Sequence, residues 1–172
     1  SIYFRYKHIE HQQNNQITEA IHSITQHQKT AYRLHSEVKF EKITIRTRIE
    51  FVNYRIENQS PTRGSLIYQD IQFACKKRIN ICMRYNIVSA DDFNSRTFAY
   101  ENDVPGTFNI PSYNGKGIRG YILIKYQVQK DLQIWFRFAR SSYAGIQSSG
   151  SRLNLIESPH ASDLNIQLQW KF

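Results

Sequence analysis

Residues 164–172, at the end of the chain, read LNIQLQWKF. Apolar residues alternate with polar ones at every position, and this period of two is typical of a β-strand with one apolar face. Two interpretations are open: an edge strand of a soluble β-sandwich, or the last strand of a membrane β-barrel. Trp170 and Phe172 favour the barrel, because aromatic side chains suit the headgroup level of a bilayer.

The composition is compatible with a barrel. A chain of 172 residues is expected to form one domain. The mean hydropathy is −0.58, and no apolar run reaches the roughly 20 residues that a membrane helix needs. A low mean hydropathy still allows a membrane barrel, since each strand turns only half of its residues to lipid. The net charge of +9 would suit nucleic acid, an anionic surface or acidic solutes in a pore.

The same alternation predicts strands along most of the chain. They cover residues 2–9, 30–40, 43–56, 65–75, 78–88, 95–103, 107–113, 118–129, 132–140 and 164–172. Pro111 weakens the strand at 107–113, because proline cannot donate to a ladder. Residues 10–29 are predicted to form a polar loop. Ile17, Ala20, Ile21 and Ile24 have helical spacing within it, but so short an isolated helix would be marginal, which favours a flexible loop.

The connections between these strands alternate in length. Tight turns are predicted at Glu41-Lys42, Lys76-Lys77, Pro105-Gly106 and Lys130-Asp131, and longer polar connections at 10–29, 57–63, 89–94, 114–117 and 141–162. An up-and-down transmembrane barrel has short turns at one rim and long loops at the other. The prediction is therefore an all-β, antiparallel up-and-down barrel of about ten strands, with both termini at the same rim. Residues 1–172 would be a single barrel domain or the carboxy-terminal part of a larger one.

The charged residues of the strands lie opposite the aliphatic ones. If the aliphatic faces meet lipid, then Arg46, Arg48, Glu50, Asp70, Arg78, Arg84, Lys125 and Arg137 line the lumen, because an Arg at the bilayer midplane would cost about 2–4 kcal/mol. One interpretation is a salt-bridged lumen with arginines paired to Glu50 and Asp70. The other is a basic pore lining that favours anions. Nucleic-acid binding is disfavoured, because it would place aromatic and basic residues on the same face.

The sequence predicts no enzyme, no cofactor and no metal site. The six His residues lack the spacing of metal ligands, and there is no Gly-rich phosphate loop. The pairs Asp91-Asp92 and Glu101 with Asp103 are interpreted as loop and turn residues. Cys75 and Cys82 are predicted out of register on opposite faces, which disfavours a disulfide. The first residues already have a strand pattern rather than that of a signal peptide, so a processed chain or a carboxy-terminal piece is expected.

Several segments together resemble a known family. They are residues 95–104, SRTFAYENDV; 108–111, FNIP; 113–119, YNGKGIR; 134–137, IWFR; and the ending QLQWKF. In order and spacing they are similar to the carboxy-terminal barrel part of outer-membrane proteins from Bacteroidota, a family whose members carry an amino-terminal helix-hairpin-helix domain. The resemblance covers about half of the chain. It implies an outer-membrane barrel, with Trp170 and Phe172 in the assembly signal of the last strand, and implies no catalytic residue.

The sequence thus predicts an integral outer-membrane β-barrel that acts as a pore or as a component of an envelope complex. The expected partners are the bilayer with its lipopolysaccharide, the barrel-assembly machinery and other envelope proteins. The alternative is a soluble calycin-like barrel that binds a small ligand. That alternative places the aliphatic face inside and leaves Arg46, Arg84 and Arg137 in water.

Overall fold

The computed structural model describes residues 1–18, 21–75, 78–148 and 156–172, with the side chains of residues 15–18 and 21–23 excepted. In these ranges the regular structure is entirely β. The strands are β1 Ile2–Thr18, β2 Ile21–Lys39, β3 Ile43–Ile56, β4 Thr62–Cys75, β5 Ile79–Ala90, β6 Thr97–Phe98, β7 Ser112–Tyr113, β8 Lys116–Gln129, β9 Leu132–Tyr143 and β10 His160–Trp170. The all-β class predicted from the alternation is confirmed.

Eight of these strands form one antiparallel sheet in the order β1-β2-β3-β4-β5-β8-β9-β10. The predicted count of about ten crossing strands is wrong, because β5 pairs directly with β8. The residues between them, 91–115, leave the sheet, and we call this segment the insert. The strands predicted at 95–103 and 107–113 shrink to the two-residue pair of β6 and β7. Pro105 and Pro111 cannot donate ladder hydrogen bonds, and arginine side chains of the sheet take the place of a neighbouring strand, as described below.

The first hairpin also differs from the prediction. The residues expected to form a loop at 10–29 are strand wherever the structure describes them, and β1 pairs with β2 from Ile2↔Ser36 as far as Thr18↔Ile21. Ala20, one of the four residues with helical spacing, lies outside the described residues, and Ile17 and Ile21 are in strands. A long hairpin pairs the backbone groups that its two strands turn toward each other, whereas a single short helix gains little stability by itself.

The two ends of the sheet differ in the length of their connections. The turns at 40–42 and at Lys130-Asp131 are short and lie at the end where β1 begins and β10 finishes. At the opposite end the connections are longer: 57–61, the insert and 144–159. This asymmetry agrees with the prediction for these connections, but residues 10–29, predicted as a long connection at the same end, are strand where they are described. The turn predicted at Lys76-Lys77 lies outside the described residues. The turn at Pro105-Gly106 lies within the insert, where Gly106 has a φ of 83°.

The sheet is open. In the described strands β1 pairs only with β2, and β10 only with β9. Both outer strands therefore carry an edge of backbone groups that no described strand pairs.

The small core lies between the sheet and the insert. One buried cluster joins Leu66, Tyr68 and Val88 of the sheet to Ala99 and Tyr113 of the insert. A second joins Cys82, Tyr121, Leu123 and Ala139 to Val104, with Trp135 packed against it. Cys75 and Cys82 are both free, and only Cys82 is buried. Cys75 pairs with Ile79 and Gln72 with Cys82 in the sheet, which places the two thiols on opposite faces, as predicted.

None of the described residues covers the other face of the sheet, which we call the apolar face. Aliphatic and aromatic side chains lie side by side across six strands in two successive rows. One row is Ile45, Ile71, Met83, Ile122, Phe138 and Leu164, and the next is Ile43, Phe73, Ile81, Ile124, Phe136 and Ile166. Ile166 is 67% exposed and Met83 is 40% exposed. This arrangement is the reverse of the one that a soluble calycin-like barrel requires.

Candidate functional site

The face opposite the apolar face, which we call the polar face, carries nearly all of the charged residues singled out in the sequence. Arg48, Glu50, Asp70, Arg84 and Arg137 are buried there, and Arg46 and Lys125 are half-buried on the same face. Strand alternation alone places them together, because the residues before and after each of them in its strand point to the apolar face. Arg78 precedes β5 and is exposed. Seven of the eight predicted lumen residues therefore share one face with the core and the insert.

The insert crosses the polar face, and arginines from every second strand of this part of the sheet donate hydrogen bonds to its carbonyl oxygens. Arg48 of β3 donates to Phe98 O at 3.1 Å, Arg84 of β5 donates to Tyr100 O at 2.7 Å, and Arg137 of β9 donates to Asn102 O at 3.1 Å. Alternate carbonyl groups of the insert are thus satisfied by guanidinium groups instead of by a neighbouring strand. A buried backbone needs such partners, because an unpaired polar group is costly away from water.

Glu101 is the centre of the strongest ion-pair cluster. Its carboxylate is fully buried. It accepts hydrogen bonds from Arg119 at 2.9 and 3.0 Å, from Arg137, and from the Tyr113 hydroxyl at 2.8 Å. Asp103 adds a second carboxylate 3.5 Å from Arg137. The buried Arg137 and the half-buried Arg119 therefore share the carboxylates of the insert. Such pairing is what allows charged groups to be buried.

The remaining acids of the polar face are held in the same way. Asp70 binds Arg84 through both oxygens, one of them at 2.6 Å, and the Arg84 guanidinium lies 4.0 Å from the centre of the Tyr68 ring. Glu50 lies between Arg33 and Arg48. Both acids predicted to pair with arginines do so. Each carboxylate is occupied by a cation, so none of them is free to act as a general base.

The start of the insert is fixed by a local turn and by close contact with β4. Ser95 N–H donates to Asp92 Oδ1 at 2.8 Å. Burial alone would raise the pKa of the Asp92 carboxyl, but hydrogen bonds from the Ser95 side chain and N–H lower that pKa below its ordinary value. At Gly64 of β4 a Cβ atom would lie 1.9 Å from Ser95 O, so only glycine lets the insert approach this closely.

Tyr113 belongs to the same cluster as Glu101. Burial, and next to it the charge of the Glu101 carboxylate, raise the pKa of the Tyr113 phenol above its ordinary value. The hydroxyl therefore stays protonated and remains a hydrogen-bond donor to Glu101.

Comparison with protein-family models, curated proteins and solved structures finds no match for the chain. The resemblance to the Bacteroidota outer-membrane family rests on the quoted segments alone and stays a prediction.

Sequence reasoning missed the main acid of the site. Glu101 and Asp103 were interpreted as turn residues, and Arg119 and Tyr113 were not considered, because their partners are far away in the sequence. The available signal was weak: four acids at 91, 92, 101 and 103 within a segment whose alternation is poor and which contains two prolines. A segment with several acids is a candidate to cover a sheet face that is rich in arginine.

In the described part of the chain, no group of three or more His, Cys, Asp or Glu side chains could hold a metal ion. No helix among the described residues is long and apolar enough to span a membrane. Trp170 ends β10 with its side chain 68% exposed on the apolar face, and Phe172 follows it fully exposed. These are the two residues predicted to take part in membrane assembly.

Proposed function

We propose that this chain forms part of the wall of an outer-membrane β-barrel. In this proposal the apolar face meets lipid, and the polar face with its insert lies inside. The observation that carries the proposal is the shape and direction of the apolar band on the outer side of the sheet. The resemblance to the Bacteroidota family supports the same location.

The band has the height of a bilayer core. In β5 five successive outward residues are apolar: Ile79, Ile81, Met83, Tyr85 and Ile87. At a rise of about 3.3 Å per residue they cover roughly 27 Å along the strand. With the tilt of about 30° derived below, this length gives a band about 23 Å tall, close to the apolar band of about 25 Å found in outer-membrane barrels. Across eight strands spaced about 4.8 Å apart, the band covers on the order of 900 Å². Apolar patches on soluble monomers rarely exceed a few hundred Å².

The band also runs obliquely to the strands. In β1 its centre is Phe4, which connects through successive cross-strand partners Leu34, Ile49, Ile67, Ile87, Ile118 and Ser142 to His160 of β10. In β10, however, the band is centred near Ile166, six residues further along. The centre of the band thus shifts by six residues over seven strand spacings. This shift means that the strands are tilted by about 30° from the direction perpendicular to the band. Barrel strands tilt by roughly 35–45°, and a sheet lying in water has no need for such a drift.

A sheet in lipid cannot leave its edges bare, because hydrocarbon offers no hydrogen-bond partner. The edges of β1 and β10 must therefore be paired in the membrane. β1 runs away from the end of the sheet that carries the short turns, and β10 runs back toward it, so the two would pair antiparallel. We propose that the barrel closes either by direct pairing of β1 with β10 or through additional strands between them.

Two roles were predicted from the sequence, a pore and a component of an envelope complex. The polar face fits the component of an envelope complex better than it fits an open pore. The insert crosses the lumen side, and the carboxylates there are paired with arginines. An anion-selective lining needs guanidinium groups that face water in an open path. We propose a plugged wall whose long connections, 57–61 and 144–159, are available to partner proteins at the outer rim.

Membrane extraction and site-specific labelling test the proposal. The chain should remain in the membrane fraction after alkaline carbonate and dissolve only in detergent. In a background lacking Cys75 and Cys82, Ile81→Cys should react with a lipid-soluble maleimide and stay protected from a charged one, while the adjacent inward variant Asn80→Cys should not react with the lipid-soluble reagent. Release by carbonate, or equal labelling of the two variants, would falsify the membrane assignment.

Planar-bilayer recording separates the two roles. A plugged wall should give no steady conductance, and Glu101→Gln should increase the frequency of opening by loosening the insert. A steady anion-selective current from the unmodified chain would instead support the pore.

A further inference from the structure

A basic cleft lies between the first two strands and the insert. It has a volume of about 260 Å³. Its lining includes five cationic side chains, those of Arg5, Lys7, Lys29, Arg33 and Arg96, and a single carboxylate, that of Glu50. We call it the cationic cleft.

The charges of the cationic cleft are not balanced by the described protein groups. Glu50 is already shared by Arg33 and Arg48. Lys29 donates to the backbone oxygens of Asn94 and Arg96 at 2.7 and 3.4 Å. Arg5 and Lys7 form no ion pair with any carboxylate whose side chain is described, and Arg96 contacts the Phe93 and Phe98 rings and the Phe93 carbonyl oxygen instead. This pattern differs from the rest of the polar face, where arginines and acids are paired.

Two further features suit the cationic cleft to an anion. Arg5 lies directly opposite Arg33 in the register of β1 and β2, and like charges in that position repel each other unless an anion lies between them. Thr97 lines the same cleft and is 2% exposed, yet its hydroxyl has no hydrogen-bond partner. A buried hydroxyl without a partner is rare in proteins and calls for a ligand oxygen or an ordered water.

We propose that the cationic cleft binds the phosphate group of a phosphate monoester. Such a group carries a charge between about −1.5 and −2 and three acceptor oxygens, which matches the unpaired cations and the Thr97 hydroxyl. Guanidinium groups bind phosphate oxygens in a planar, two-pronged manner that suits Arg5 and Arg96. A soluble phosphorylated metabolite and a lipid headgroup both offer this chemistry. The site is on the polar face and does not depend on what covers the apolar face.

Titration calorimetry of the full chain in a zwitterionic detergent tests the site. The soluble probe is glycerol 3-phosphate and the lipid probe is dihexanoyl phosphatidic acid, with glycerol and dihexanoyl phosphatidylcholine as their uncharged and zwitterionic counterparts. We expect saturable binding of at least one phosphate probe. The affinity should fall about tenfold or more in Arg5→Gln and in Lys7→Gln, because each loses a charge-assisted hydrogen bond, and by a smaller factor in Thr97→Val.

The matched control is Arg55→Gln, which removes the same charge from an exposed position of β3 outside the cleft. It should bind as the unmodified chain does. Binding of the soluble probe alone assigns a soluble phosphoester, and binding of the lipid probe alone assigns a headgroup. The proposal is overturned if neither probe binds at concentrations up to about 10 mM, or if Arg5→Gln and Lys7→Gln bind like Arg55→Gln. Near-ultraviolet circular dichroism establishes that the variants are folded.

Discussion

Replacing Glu101 with Gln should loosen the insert from the polar face. The substitution keeps the size of the side chain but removes the charge shared by the half-buried Arg119 and the buried Arg137. Removing one partner of a buried ion pair typically costs 3–5 kcal/mol. Arg119 keeps its hydrogen bond to Ser141 at 2.8 Å, and Arg137 keeps Asp103 at 3.5 Å. We therefore expect the lower end of that range, about 3 kcal/mol, in the free energy of unfolding.

Two assays measure this loss. Urea unfolding in detergent or in vesicles gives the change in free energy. The reactivity of Cys82 reports the insert itself, because this buried thiol lies beneath Asn102, whose side-chain nitrogen is 3.1 Å from its sulfur. Cys75 is replaced by Ser so that one thiol remains. In Glu101→Gln, Cys82 should react with a soluble disulfide reagent about a hundredfold faster, if the whole 3 kcal/mol acts on opening of the insert.

The control is Glu157→Gln, which removes the same charge from an exposed position in the connection before β10. It should change neither the free energy of unfolding nor the reactivity of Cys82. The reasoning fails if Glu101→Gln is as stable as this control and keeps Cys82 protected, since the carboxylate would then contribute nothing to holding the insert.

Four other substitutions have definite expected outcomes. Gly64→Ala should expose Cys82 to the reagent and destabilise the fold by about 1–3 kcal/mol, because a Cβ there would overlap Ser95 O. Ile71→Arg, on the apolar face, should cost about 2–4 kcal/mol of membrane stability, whereas the inward neighbour Gln72→Arg should be inserted normally; vesicle flotation compares them. Tyr113→Phe loses its hydrogen bond to Glu101 and should cost about 1–2 kcal/mol in urea unfolding. The pKa of Asp92 is lowered in the folded chain from its ordinary value of 3.8, so its stabilising effect is present above that value and is lost as the pH falls through the folded pKa. Asp92→Asn should therefore be less stable than the unmodified chain at pH 7, and the difference should disappear once the pH lies well below the folded pKa.

Strand alternation in the sequence was sufficient to predict the middle of the sheet. β3 was predicted from Ile43 to Ile56, its bounds in the structure, and β4, β5, β8 and β9 differ from their predictions by a few residues at the ends. In these strands each residue's environment is decided by its own face, so a local pattern contains the necessary information. The division into an arginine-rich face and an aliphatic face follows from the same pattern.

The insert could not be predicted in this way, because long-range contacts determine its conformation. Residues 95–103 have enough alternation to suggest a strand, but their carbonyl groups bind Arg48, Arg84 and Arg137, which lie on three different strands and 16 to 50 positions away. A local pattern cannot tell a ladder partner from a guanidinium partner. The first hairpin was not predicted for a different reason: residues 10–16 are polar at every position, and such a stretch resembles a loop until the register of its partner is known.

The two faces of the sheet impose opposite requirements on the environment. The polar face is covered by the insert, and its buried carboxylates are paired with arginines. The apolar face leaves on the order of 900 Å² uncovered, and at about 25 cal/mol per Å² its removal from water would be worth roughly 20 kcal/mol. That exceeds the 5–15 kcal/mol that holds an ordinary domain together. Because the arginines are covered and the aliphatic residues lie outside, the free energy of burying the apolar face can be gained only from something that covers that face. In the proposed membrane barrel, this cover is a bilayer about as thick as the band is tall.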